Sequence, residues 1–136
     1  MDYRLPSSEG RRTAADMTGM EVTMMSSLGD VLRVAAKGPV VQGTLLGSDP
    51  MGKILGHASY DRKVLLSLAD VTLFDSTALG WLLQCNKRSR EAGGVLVIHS
   101  IPPVVLDMMK VMGLSQVLKL AEDEQSALAI IEGVKP

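Results

Sequence analysis

The chain has 136 residues, 46% of them apolar and 3% aromatic, with 14 Lys and Arg set against 15 Asp and Glu. That length fits one domain around one aliphatic core. The nearly cancelled charge offers no basic surface for nucleic acid or an anionic membrane, and so few aromatic rings leave no stacking platform for single strands.

Residues 1–20 are mixed and polar, without period, and read as a flexible N-terminal arm; residues 21–134 read as the domain. Val22 to Ser26 reads as a strand, Leu28-Gly29-Asp30 as a hairpin turn, and Val31 to Ala36 as the returning strand, ended by Gly38-Pro39. Five residues, Gly43, Gly47, Pro50, Gly52 and Gly56, interrupt any long pattern between 40 and 60, where a short helix near Met51 to Leu55 is expected. Val64 to Leu68 is a continuous apolar run, as in a strand covered on both faces.

A helix follows from Ser76 to Ala92. Leu79, Leu82 and Leu83 form its stripe, Lys87, Arg88 and Arg90 suit its C-terminal dipole, and Gly93 stands at a left-handed cap. Val95 to Ile98 is the next strand. A Pro-opened helix from Pro102 to Met112 places Val105, Met108, Met109 and Met112 along one side and stops at Gly113. Gln116 to Leu120 is a weaker strand, and a last helix starts near Asp123. Strands alternating with helices imply an α/β domain, with a mostly parallel sheet of four to five strands, helices packed on it, and a hairpin at one edge.

No apolar run is long enough to cross a bilayer, and no apolar stretch follows Arg11 and Arg12 as it would in a signal peptide. The one cysteine, Cys85, has no partner for an internal disulfide, which suits a reducing compartment. The expectation is a cytoplasmic protein with no direct membrane insertion. His57 and His99 have no second ligand at metal spacing, and Cys85 has no base beside it. No catalytic residue, metal or cofactor is therefore expected.

The chemistry concentrates where a buried strand turns into a helix, at Asp75-Ser76-Thr77. Each of these side chains is able to cap the helix, and the helix N-terminus favours negative charge. A phosphate on Ser76 or Thr77 would leave the helix intact and place a large negative charge on the surface, which describes a switch of binding. Capping alone is the simpler account of the same residues. A nucleotide cradle is disfavoured, because the turn lacks the glycines of a P-loop and has no basic residue beside it.

Phe74-Asp75-Ser76-Thr77-Ala78-Leu79-Gly80 resembles the Asp-Ser-Ser/Thr-Gly/Ala-Leu-Gly turn of STAS domains, the kind found in bacterial anti-sigma factor antagonists. Gly93-Gly94 before a strand, the Pro-opened helix ending in Met112-Gly113-Leu114, and Asp123 to Leu128 are similar to that family too. Pro39-Val40 after Gly38, and Ser67 where the family often has Asp, depart from its pattern.

The resemblance implies a STAS-like fold and a protein-binding regulator of transcription rather than an enzyme. Its partners would be a kinase-type anti-sigma factor and a Ser/Thr phosphatase. Thr77 would be the phosphorylated residue and Ser76 the second choice, with Asp75, Ser76, Thr77, Ala78 and Trp81 meeting the partner. The alternative within the same fold is a non-switching subunit of a stress-signalling or lipid-transport assembly. Self-association is left open.

Overall fold

The structure, a computed structural model, describes residues 12–15, 21–40, 51 and 61–133, with backbone alone for 12–15. Six strands form one sheet in the order β1 to β6: β1 (Arg12–Ala15), β2 (Glu21–Leu28), β3 (Val31–Val40), β4 (Lys63–Phe74), β5 (Val95–His99) and β6 (Lys119–Ala121). The pairs β1–β2 and β2–β3 are antiparallel, and the three remaining pairs are parallel. Three helices are described: α1 (Ser76–Glu91), α2 (Pro103–Val111) and α3 (Glu124–Gly133), with a single 3-10 turn at Leu114–Gln116.

Strand alternation divides the apolar residues between two layers. Leu32, Val34 and Ala36 of β3, Val64, Leu66 and Leu68 of β4, and Leu96 and Ile98 of β5 meet Leu79, Leu82 and Cys85 of α1 and Val105 and Met109 of α2. The intervening Val31, Leu65 and Val97 meet Ala127 and Ile131 of α3. Helices on both faces explain why β4 and β5 read as unbroken apolar runs. Gly93 and Gly113 take φ of 84° and 73°, the left-handed turns that end α1 and follow α2.

The α/β class, the largely parallel sheet and the edge hairpin agree with the sequence reading, and several boundaries differ. Arg12–Ala15 lie in the sheet as β1, paired with Glu21 to Met24, rather than in a loose arm, because the outer edge of β2 supplies them a ladder. Gly38-Pro39 does not end β3. The strand runs on to Val40 against a β4 that itself continues to Phe74, with Lys37 opposite Asp70 and Val40 opposite Phe74. The ladder shifts register between Gly38 and Pro39, an irregularity that accommodates a residue without an N–H. Gln116 closes the 3-10 turn, and the last strand is shorter and later than expected. Met112 is exposed rather than part of the core stripe of α2. Met51 is helical and buried; the rest of the helix expected at Met51 to Leu55, and His57, lie outside the described residues.

Candidate functional site

The turn singled out by the sequence stands at the end of the longest strand. Beyond Ser67, β4 no longer pairs with β5 and keeps only β3 beside it. Its last residues keep Val71 and Phe74 packed against the core and deliver Asp75 to the start of α1. Leu73, two residues before the turn, is 62% exposed, an apolar side chain with no interior to fill.

Asp75 is the cap. Its backbone is extended (φ −122°, ψ −175°), and its Oδ1 accepts the Ala78 N–H at 3.1 Å. Its carbonyl oxygen accepts the N–H groups of Ala78 and Leu79 at 3.0 and 3.3 Å. Of the three residues able to cap, the carboxylate is the one used at that amide. Ser76 and Thr77 follow at the first two helical positions, Ser76 exposed and Thr77 half-buried. Accessibility therefore ranks Ser76 before Thr77, the reverse of the order implied by the resemblance. The first turn of α1 contains no acidic residue and Arg88 and Arg90 lie in its last turn, so in the helix's own sequence Asp75 at the cap is the negative group set against the positive end of the dipole.

The other expected contact residues face inward. Ala78 is 0% exposed and Trp81 8% exposed, both inside the layer between α1 and the sheet. The helical period that exposes Ser76 turns positions 78 and 81 toward β4 and β5. Neither presents a surface to a partner. In their place the outer side of α1 offers Gly80, one turn after Ser76, and Gln84 one turn further. A Cβ built on Gly80 would meet no atom within 4 Å. Nothing in the described fold requires a glycine there, and glycine inside a helix costs about 1 kcal/mol relative to Ala. Leu73 is the addition made by the structure to the site. Gly80 stood in the sequence as the closing residue of the motif, and the structure shows its open outer side, whereas the exposure of Leu73 depends on the unforeseen length of β4.

Cys85 is buried in the core. Among the described residues no three His, Cys, Asp or Glu side chains gather as a metal site, and no helix is long and apolar enough to cross a membrane. The arrangement suits contact and modification: two hydroxyls at a helix start, beside an exposed Leu and a bare stretch of helix.

Residues 29–127 match the family model described as the STAS domain. Among solved structures, an anti-sigma factor antagonist from Mycobacterium paratuberculosis superposes with a TM-score of 0.67 at 16% identity, covering 88% of this chain and 99% of the other. An anti-sigma-factor antagonist (STAS) domain protein from Planctomyces limnophilus gives 0.56 at 18% identity, covering 90% and 98%. A protein from Thermotoga maritima gives 0.66 at 19%, covering 79% and 92%. At these identities the neighbours speak for the fold.

Proposed function

The chain belongs to the STAS-domain family, and on that premise we propose that it is a regulatory protein-binding module of the anti-sigma factor antagonist kind, switched by phosphorylation at the start of α1. The observation that carries the proposal is the surface at that helix start. An exposed Ser76 and a half-buried Thr77 stand beside exposed Leu73 and Gly80, and Asp75 holds the cap independently of either hydroxyl. A phosphate added to Ser76 or Thr77 leaves the Asp75 bond to Ala78 in place, so the fold persists while the surface changes. In the centre of an interface that phosphate brings a desolvation cost and repulsion from acidic partner groups, and the partner leaves.

The partner in this reading is a kinase-type anti-sigma factor, bound by the unmodified chain and released on phosphorylation, with a Ser/Thr phosphatase resetting the cycle. The resemblance favours Thr77 as acceptor and exposure favours Ser76. The test is a pull-down from host lysate with wild-type, Ser76→Glu, Thr77→Glu and Thr77→Ala baits, joined to phosphosite mapping of the chain isolated from cells. Wild type and Thr77→Ala should retain a kinase-like protein that at least one Glu variant loses, and the phosphate should map to that same position. Retention of one protein by all four baits, with no phosphate at either residue, would leave the turn as a helix cap and favour the non-switching assembly subunit.

A further inference from the structure

The sheet face opposite α1 carries a polar cluster that the proposed switch does not use. His99 ends β5, is 4% exposed, and has its Nδ1 2.9 Å from the Ser100 hydroxyl. Ser100 adopts φ 56°, the left-handed region, as no other non-glycine residue among those described does. Its N–H donates to the Glu122 carbonyl at 3.2 Å, tying the end of β5 to the turn that follows β6. That turn starts α3. The Asp123 Oδ1 accepts the Ser126 N–H at 2.8 Å, and Glu124 accepts the Arg33 Nε–H at 2.7 Å. Arg33 donates a second bond from Nη1 to the Ser26 hydroxyl at 2.7 Å. The charged groups acting on the buried imidazole are thus Arg33 from β3 and Asp123 and Glu124 from the start of α3; its sheet neighbours Ser67 and Ala121 carry no charge.

We propose that His99 is an acid-sensitive latch for α3: when its ring takes up a proton, the helix loosens from the sheet while the α1 face keeps its packing. The neutral ring fits its place, with Nδ1 in a hydrogen bond to Ser100. A second proton, drawn from solvent, makes it a buried cation beside Arg33, which already holds Glu124. Burial pushes the imidazole below its ordinary value, Glu124 and Asp123 oppose that shift, and Arg33 adds to it. Undocking returns the ring to water and takes Asp123 and Glu124 away with the helix; because burial is the largest of these influences, the docked form binds the proton less well. From about pH 6.5 downward the undocked form gains, until the docked-state value is passed. One proton changes the opening equilibrium by at most about tenfold per pH unit. Release of α3 uncovers Val31, Leu65 and Val97, an apolar strip on the face away from the proposed switch.

Hydrogen exchange on the full chain between pH 7.5 and 5.5, corrected for intrinsic exchange rates, tests the latch. Protection of α3 amides should fall by up to about tenfold per pH unit below pH 6.5, with a clearly smaller fall in α1. The His99→Gln variant should flatten that dependence, and His57→Gln should preserve it. Unchanged α3 protection in wild type, the same fall in His99→Gln, or an equal fall in α1 would overturn the proposal. A ring titration of wild-type His99 by NMR decides the case even if His99→Gln does not fold. A midpoint below 6.5 is expected, and one at or above 6.5 would refute the latch.

Discussion

Replacing Asp75 separates the two jobs assigned to the turn. Its Oδ1 is the side-chain acceptor for the Ala78 N–H at the start of α1. Asp75→Ala removes that side-chain acceptor and leaves the amide only the backbone carbonyl of residue 75, a loss of typically about 1 kcal/mol and within about 0.5–2 kcal/mol. For a domain between the small and mid-sized classes this corresponds to a fall of about 3–6 °C in Tm. Asp75→Asn keeps an oxygen in the same place, and Asn caps as well as Asp, so its stability should stay near wild type. Thermal and urea melts followed by circular dichroism read both variants. Equal stability of Asp75→Ala and wild type, or an Asn variant as damaged as the Ala variant, would refute the capping account. If the Asn variant also binds the partner like wild type, the carboxylate charge plays no part in recognition.

Other substitutions probe the core, the bare helix face and the second helix cap. Gly80→Ala should stabilise the domain by up to about 1 kcal/mol and weaken partner binding, because the added methyl meets nothing inside the fold; unchanged affinity would remove Gly80 from the interface. Leu66→Ala empties a fully buried site between α1 and the sheet and should cost about 2–5 kcal/mol in urea melts; a loss under 1 kcal/mol would mean that this layer is not the principal core. The Asp123 carboxyl is held below its ordinary value chiefly by the Ser126 backbone N–H. Its contribution is therefore present above pH 3.8 and lost as the pH falls through the lower folded-state value. The stability gap between wild type and Asp123→Ala should be widest near pH 6 and close toward pH 2.5, and a constant gap would contradict the assignment.

The parts of the fold carried by local pattern were readable. The helix α1, the cap glycines Gly93 and Gly113, and the apolar runs of β4 and β5 announce themselves within a few residues of sequence. The parts that depend on distant pairing were not. The second half of β4 is exposed at Ala69, Asp70, Thr72 and Leu73, without the buried run of its first half, and it is a strand because the tail of β3 lies beside it. Pro39 reads as a stop, yet the register shift next to it lets the ladder continue. The four residues of β1 carry no apolar period and owe their place to the edge of β2. At the site, capping chemistry identified Asp75, Ser76 and Thr77, whereas Ala78 and Trp81 went to the core because helical phase turns them inward.

The most direct test of the switch is a calorimetric titration of the purified kinase-type anti-sigma factor from the same organism with wild-type, Ser76→Glu and Thr77→Glu chains, after circular dichroism has established that all three are folded. Wild type should bind, and a Glu at the modified position should weaken Kd at least about tenfold, as expected for an unmatched charge placed within an interface. Equal affinity for all three folded chains would contradict a phosphorylation switch at the start of α1.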